Sequence, residues 1–462
     1  MRTLHELEAQ FAHHSTLPRE AVLKADLLRG GIRFEPDALV RVTDEDKMDA
    51  RSPLSLAAYD GGTQAREHQP KSYFIFSFDM VRQQQLDDTQ RWHAPEEIAL
   101  SGGPYGLRRT IVSTRLNPAS PYRVAPRDGA LWLHVEDEPI AEVSLHDLPP
   151  YYREQLPDGR PVAEIAPTIE WGYLLYLTVF RVCQYYGAKE ECQFCDINNN
   201  YRQQIEQKRP YTGVKSVQDI VAALERIDAS GSESQAYTIT GGSVTSTLRG
   251  KNEVEFYAEY VEAIENRFPG RWISKVVTQA WPVEDVKRLK AAGARIYHPN
   301  YEVWDPELFT KICPGKTRYI GRDEWIRRIV DAAEVFGSSH VIPNFVAGVE
   351  MAQPYGYTDV ETAISSTAQG LEFFMAKGIT PRFTTWCPEP MTVLGDANPD
   401  GAPLEYHLRL LETYRDTLAR HHLAPPPGYG EPGPGKAVFS VSPFMDVLEP
   451  AAEPAAEPAG TR

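Results

Sequence analysis

Three of the five cysteines, Cys183, Cys192 and Cys195, fall within thirteen positions as C-x8-C-x2-C. The two-residue bracket from Cys192 to Cys195 is the spacing at which neighbouring thiolates grip one metal centre. A structural zinc takes four ligands, and three is one short. Asp196 offers a further donor, although adjacency to Cys195 strains that geometry. A cubane [4Fe-4S] cluster held by three thiolates instead keeps one iron open to a small molecule. The two chemistries these residues can do are therefore an iron–sulfur site with a vacant position and, as the alternative, a zinc-stabilised domain or metal-dependent hydrolase. Cys313 and Cys387 stand alone, and without a second C-x2-C a single centre is the economical reading.

The thiols follow an apolar, aromatic and β-branched run, Trp171 to Val182, which reads as a strand covered on both faces. Strand and helix patterns then alternate: a helix over 214–229, a strand over 235–240, a helix over 254–268, a strand over 272–278, a helix over 283–292 stopped by Gly293, and a strand over 295–300. Helices over 323–336 and 358–377 and strands over 341–350 and 379–387 complete six units. Six such units predict an α/β fold, a partial (β/α)6 TIM-like barrel, in which the strands' C-terminal ends carry the chemistry. Gly241-Gly242 ends the second strand, where the lack of Cβ lets a backbone approach a ligand. Asn300 and Glu302 emerge at the end of the fourth strand; the plain alternative is that Glu302 and Asp305 cap the helix beginning near Pro306. Pro314-Gly315-Lys316-Thr317 lacks the earlier glycine of a phosphate loop, so Lys316 and Arg318 read as solvated loop cations or partners of a carboxylate.

The C-x2-C bracket with Phe194 just before its last cysteine, its place after an apolar strand, and the Gly-Gly end of the next strand together resemble the radical S-adenosylmethionine (SAM) superfamily. Its usual loop is C-x3-C-x2-C; the first gap here is eight residues, an excursion that costs a loop little extra entropy. The resemblance covers about residues 166–390. It implies that Cys183, Cys192 and Cys195 anchor a [4Fe-4S] cluster whose open iron takes SAM, and that reductive cleavage gives a 5′-deoxyadenosyl radical that abstracts hydrogen from a small-molecule substrate. Gly241 and Gly242 match a Gly-Gly-Glu motif that contacts the SAM amino group, with Ser243 in the acidic position. Asn300 and Glu302 fall where a polar side chain binds the SAM ribose or carboxylate. Phe345, Val346 and Glu350 match a looser pattern that packs against adenine. Cys387 and His298, at strand ends, are candidates for chemistry on the substrate, the former as a hydrogen donor or attachment point. Implied partners are the small-molecule substrate and an electron donor such as flavodoxin or ferredoxin; rearrangement, carbon–carbon bond formation, lyase and epimerase outcomes all stay open.

Bulk properties fit a large enzyme. The 462 residues carry a formal charge of -16 from 64 acidic and 48 basic side chains, and no Lys/Arg cluster offers a nucleic-acid footprint. No apolar run reaches membrane-span length and the start lacks a signal-peptide core, so neither nucleic acid nor membrane is expected as a partner and the expected location is cytoplasmic. Residues 1–160 read as an α+β extension, with helices around Leu4–Phe11 and Ala21–Leu28, a polar loop over 44–70, strands over 72–78 and 109–114, and a hairpin over 131–143. His13-His14 reads as a solvated pair. The barrel spans 161–400; 401–447 holds a helix from Leu404, a proline- and glycine-rich run and a covering strand over 438–442; 448–462 is a low-complexity tail expected to be disordered.

Overall fold

The computed structural model describes residues 3–35, 37–38, 95 and 97–449, apart from 116, 118, 148, 207, 209–210 and 390. The expected loop over 44–70, the strand over 72–78 and the tail from 450 onward lie outside the described residues. The extension packs helices Leu4–His13 and Arg19–Gly30 with a six-stranded sheet ordered β1-β4-β5-β6-β2-β3. Its strands are β1 (Arg33–Phe34), β2 (Glu97–Gly102), β3 (Leu107–Ser113), β4 (Tyr122–Arg127), β5 (Ala130–Val135) and β6 (Glu138–Ser144). The hairpin expected over 131–143 is the antiparallel β5–β6 pair. The first helix opens with a reciprocal cap between Thr3 and Glu6, which satisfies two of its free N–H groups.

Six parallel strands make the frame of the site. After the short edge strand β7 (Thr168–Ile169), the strands β8 (Leu174–Phe180), β9 (Ala236–Gly241), β10 (Ile273–Thr278) and β11 (Ile296–Pro299) ladder in sequence. Parallel bridges from Tyr297 to Val341 and from Glu302 to Phe345 carry the curve to the pair β12 (Asn344–Ala347) and β13 (Arg382–Thr385). Each strand is followed by a long helix: Val217–Ala229, Glu253–Arg267, Val283–Ala291, Arg322–Phe336, Val360–Met375 and Leu404–Arg420. The chain is a partial α/β barrel of six units with an N-terminal extension. Side-chain caps start several of these helices where the polar residue precedes the apolar stripe, as at Ser216, Asn252 and Asp359.

The period-two alternation of the strands separates two surfaces. Tyr237 on β9 reaches Glu265 of the following helix, and Phe345 on β12 packs at a tilt against Tyr301 and Phe383. Tyr176, Thr240, Asn344, Val346 and Arg382 instead line the barrel interior. The covering segment differs from its expected form. Residues 438–442 form no strand; Ser113 donates its N–H to Ser440 O and Thr385 donates to Val441 O, one bond to each of two sheet edges. Pro443, without an N–H, cannot extend either ladder. The run from Leu423 stays irregular yet sends Tyr429 and Phe439 into the core.

Candidate active site

The thiol loop begins where β8 ends. Asn198 braces it: the Cys183 N–H donates to Asn198 Oδ1 at 2.8 Å, and Asn198 Nδ2 donates to Tyr185 O and to Glu191 Oε1. The long first gap folds as a turn of its own. Gly187 O accepts from the N–H groups of Glu190 and Glu191, while the Glu191 carboxylate accepts from Gly187 N–H and pairs with Arg202. That turn docks on the helix Pro314–Tyr319, whose Gly315 N–H donates to Glu190 O; a Cβ at Gly315 would stand 2.4 Å from that oxygen. The extra residues between Cys183 and Cys192 are thus held against the barrel. Cys195 N–H donates to Cys192 O across the two-residue bracket, and Ser243 N–H donates to Cys183 Sγ at 3.3 Å.

The three thiols share the lining of one cavity with Gly241, Gly242, Ser243, Asn300, Glu302, Val346 and Cys387. It encloses about 1120 Å³ of space not filled by atoms, its open mouth included. Burial, followed by the neighbouring Cys192, pushes the Cys183 thiol up to about 12, and burial with Asp196 and Cys192 pushes Cys195 well up. Cys192 moves the other way, because the thiol of Cys313 hydrogen-bonds to it. Cys313, buried completely at the end of helix Pro306–Ile312, is therefore a neighbour of the loop. Nothing in its spacing from the other cysteines signalled this.

The Gly-Gly step serves the loop first. A Cβ on Gly242 would sit 2.0 Å from Val182 O, and one on Gly241 would sit 2.4 Å from Phe180 O, so both glycines admit the β8 end and the thiol loop at close range. Tyr257 OH donates to Gly242 O. Glu302, at φ 64, pairs with Lys316 at 2.5 Å, and Lys316 lies 4.6 Å over the Trp325 ring. Lys316 is thus a buried helix residue and no solvated loop cation: the pair and the ring replace its water. Both cations have the carboxylate partner that was the other expectation, Arg318 pairing with Glu190 at 2.7 Å. Capping of helix Pro306–Ile312 falls to Asp305 alone, which accepts from Glu307 and Leu308 N–H.

Sequence reasoning missed Glu253. It lines the cavity and accepts from Val244 N–H, Gln279 Nε2 and Trp281 Nε1, and burial raises it to about 7. Its place in the first turn of a helix capped by Asn252 gave it the look of an ordinary N-terminal acid.

Three expected residues stand apart from this lining. Phe345 turns outward onto Tyr301 and Phe383 because Asn344 and Val346, its neighbours on β12, take the interior face. Glu350 is consumed by Gly348 N–H, Thr367 Oγ1 and Tyr406 OH. His298 is fully buried, its Nδ1 2.7 Å from Ile342 O with Tyr429 OH beside the ring, and burial lowers its pKa well below the usual histidine range. A neutral imidazole donating from Nδ1 to that carbonyl packs the barrel's far end. Away from the cavity, His14 is buried between Glu405 and Glu412 instead of solvated, docking the first helix on helix Leu404–Arg420. With His13 and Glu405 it forms a group whose ligand atoms lie within 4.8 Å of one another, a geometry with metal-binding potential.

No protein-family model matches the chain. Among curated proteins, the bacteriochlorophyllide c C-7(1)-hydroxylase of Chlorobaculum limnaeum is 24% identical over 119 residues, 25% of this chain and 27% of that one. The alignment thus spans about a quarter of that relative. Similar solved structures include methylornithine synthase (TM-score 0.39, 14% identity, 55% of this chain and 64% of that one). Coproporphyrinogen III oxidase from Escherichia coli, described as a radical SAM enzyme, gives a TM-score of 0.34 at 12% identity over 54% and 52%. A radical SAM methyltransferase from Sphaerobacter thermophilus gives 0.35 at 14% identity over 66% and 76%. The strand order and crossovers of this chain carry the fold assignment.

Proposed function

We propose that this chain is a radical SAM enzyme acting on a small molecule. The observation that carries the reading is the meeting of Cys183, Cys192 and Cys195 at the strand-end mouth of a partial barrel, beside Gly242 and Ser243 of the adjacent strand. The donor set fits an iron–sulfur cluster: three thiols at the mouth of one cavity and a backbone N–H already aimed at one sulfur. Bound there, such a cluster supplies the electron that cleaves SAM reductively to a 5′-deoxyadenosyl radical, which takes hydrogen from the substrate.

The chain's own residues have definable tasks in this reading. Asn198 and Ser243 fix the position of Cys183. Gly241, Gly242 and Ser243 form the wall for the SAM amino group, and Asn300, whose Oδ1 is buried without a partner, offers an acceptor beside the Glu302–Lys316 pair for a ribose hydroxyl. Val346 supports the adenosyl group, and Cys387 borders the space left for substrate. The barrel wall and the covering segment screen that space from water. A flavodoxin- or ferredoxin-like donor completes the proposed partners. Among the described residues no helix is long and apolar enough to cross a membrane.

Cys313 favours a second reading, because a fourth thiol beside Cys192 completes a zinc set. Spacing weighs against it. Ligands about 2.3 Å from a tetrahedral zinc lie roughly 3.8 Å apart, whereas among the described residues only His13, His14 and Glu405 bring three such atoms within 4.8 Å of one another. Metal analysis after anaerobic reconstitution separates the two: about four irons and four sulfides per chain with a brown chromophore is expected, and one zinc with neither iron nor colour would overturn the radical reading.

A further inference from the structure

We infer that the cavity takes a small molecule bearing an anionic group, a carboxylate or a phosphate, and that Arg382 is the residue that holds it. The inference rests on the radical SAM reading only in calling that molecule the substrate; the anion site itself stands on the geometry of the barrel.

Arg382 is the first residue of β13 and lines the cavity at the end opposite the thiols, together with Tyr176 of β8 and its own register partner Asn344. Among the described residues its guanidinium has no hydrogen-bonding or ion-paired partner. Its Nε is buried without a partner, and the guanidinium lies over two ring faces, Tyr429 at 5.5 Å and Phe439 at 5.6 Å. A guanidinium carries five N–H donors in a fixed fork that matches carboxylate and phosphate oxygens, and a buried N–H such as this Nε left without a partner is costly. Lys275, 1% exposed, adds a second positive charge nearby; its ammonium donates to Gly428 O and lies over the Tyr429 ring, again without an ion pair. Glu170 lies within the electrostatic reach of both cations but forms no ion pair with either, so it moderates the local charge without filling the donors. Of the other charges of the lining, Lys316 is matched by Glu302 and Glu253 is saturated by three donors, while Asp196 and Glu389 are two further carboxylates. Near the thiols the cavity thus holds a paired lysine and a saturated carboxylate, and at its far end a guanidinium with no ion pair among the described residues. An anion seated on Arg382 would direct the rest of its molecule toward the thiols.

The test uses the full chain, reconstituted without oxygen, with iron and sulfide counted on the same sample. Inorganic phosphate and succinate are titrated calorimetrically as probes, before and after saturation with SAM, into wild type, Arg382→Gln and Arg382→Lys. The expected result is that one probe binds wild type whether or not SAM is present, that Arg382→Gln weakens it about tenfold or more, and that Arg382→Lys retains part of the affinity; which probe binds tells carboxylate from phosphate. Neither probe binding wild type, equal binding to Arg382→Gln, or displacement of the probe by SAM would overturn the inference. Should Arg382→Gln misfold, phenylglyoxal labelling of wild type serves instead: the bound probe is expected to slow modification of Arg382, read by peptide mass spectrometry, and equal labelling with and without it overturns the site. Iron-loaded protein that ignores both probes sinks this inference alone; anion binding by protein holding zinc and no iron sinks the radical reading alone.

Discussion

At the scale of single residues, the thiol loop depends on two positions outside the three cysteines. Replacing Gly242 with alanine puts a Cβ 2.0 Å from Val182 O, so the loop must shift. Gly242→Ala is expected to cost about 1–3 kcal/mol of stability, as overpacked sites do, and to lower the iron retained after reconstitution, checked by denaturant unfolding and metal analysis. Asn198→Ala removes three hydrogen bonds from the loop, each worth about 1 kcal/mol. It should reduce iron retention while leaving the far-ultraviolet circular dichroism unchanged; undiminished iron would show that the loop holds its shape without this brace. The thiols themselves were legible because a C-x2-C bracket has few other uses. Asn198 and Glu253 were not: the former reads as one of three consecutive asparagines and the latter as a helix-start acid, and only the folded loop shows what each bonds.

At the scale of elements, the alternation of strands and helices was readable from periodicity because each strand is a short β-rich run and three of the six long barrel helices carry a side-chain cap at their start. What periodicity could not deliver was which face of a strand turns inward. Phe345 looked like a ligand wall, yet the register of β12 against β13 turns it to the helices and gives the interior to Asn344 and Val346. Pro314–Tyr319 likewise read as loop, since its helix is a single short stretch held by the buried Glu302–Lys316 pair. The helix Leu404–Arg420 carries a testable liability. His407 is buried, both ring nitrogens lack partners among the described residues, and burial lowers it from 6.5 to about 3. Below 6.5 the unfolded chain gains a proton there that the folded protein refuses until about 3. The stability this group supports is thus present above pH 6.5 and declines on acidification toward pH 3, by about 1.4 kcal/mol per pH unit. Thermal unfolding at pH 7 and pH 5 should show a steeper acid loss for wild type than for His407→Leu; identical slopes would contradict the assignment.

At the scale of the molecule, the covering segment knots the extension to the barrel. Lys24 of helix Arg19–Gly30 donates to Phe439 O and pairs with Asp446 at 2.8 Å, both side chains fully buried, while Thr110 of β3 donates to the other oxygen of Asp446. Removing one partner strands a buried charge, so Lys24→Met is expected to cost about 3–5 kcal/mol, with Lys24→Met/Asp446→Leu recovering much of it; denaturant midpoints measure both. No sequence pattern linked Lys24 to Asp446, because the contact spans 422 positions. The same knot closes the barrel's far end under Tyr429 and leaves the strand-end mouth to the thiols. The claim that this mouth performs radical chemistry is tested most directly by incubating the reconstituted, reduced protein with SAM and quantifying 5′-deoxyadenosine and methionine, with Cys195→Ala alongside. Deoxyadenosine from wild type and none from the variant is the predicted result; a wild type with full iron content that leaves SAM intact would contradict it.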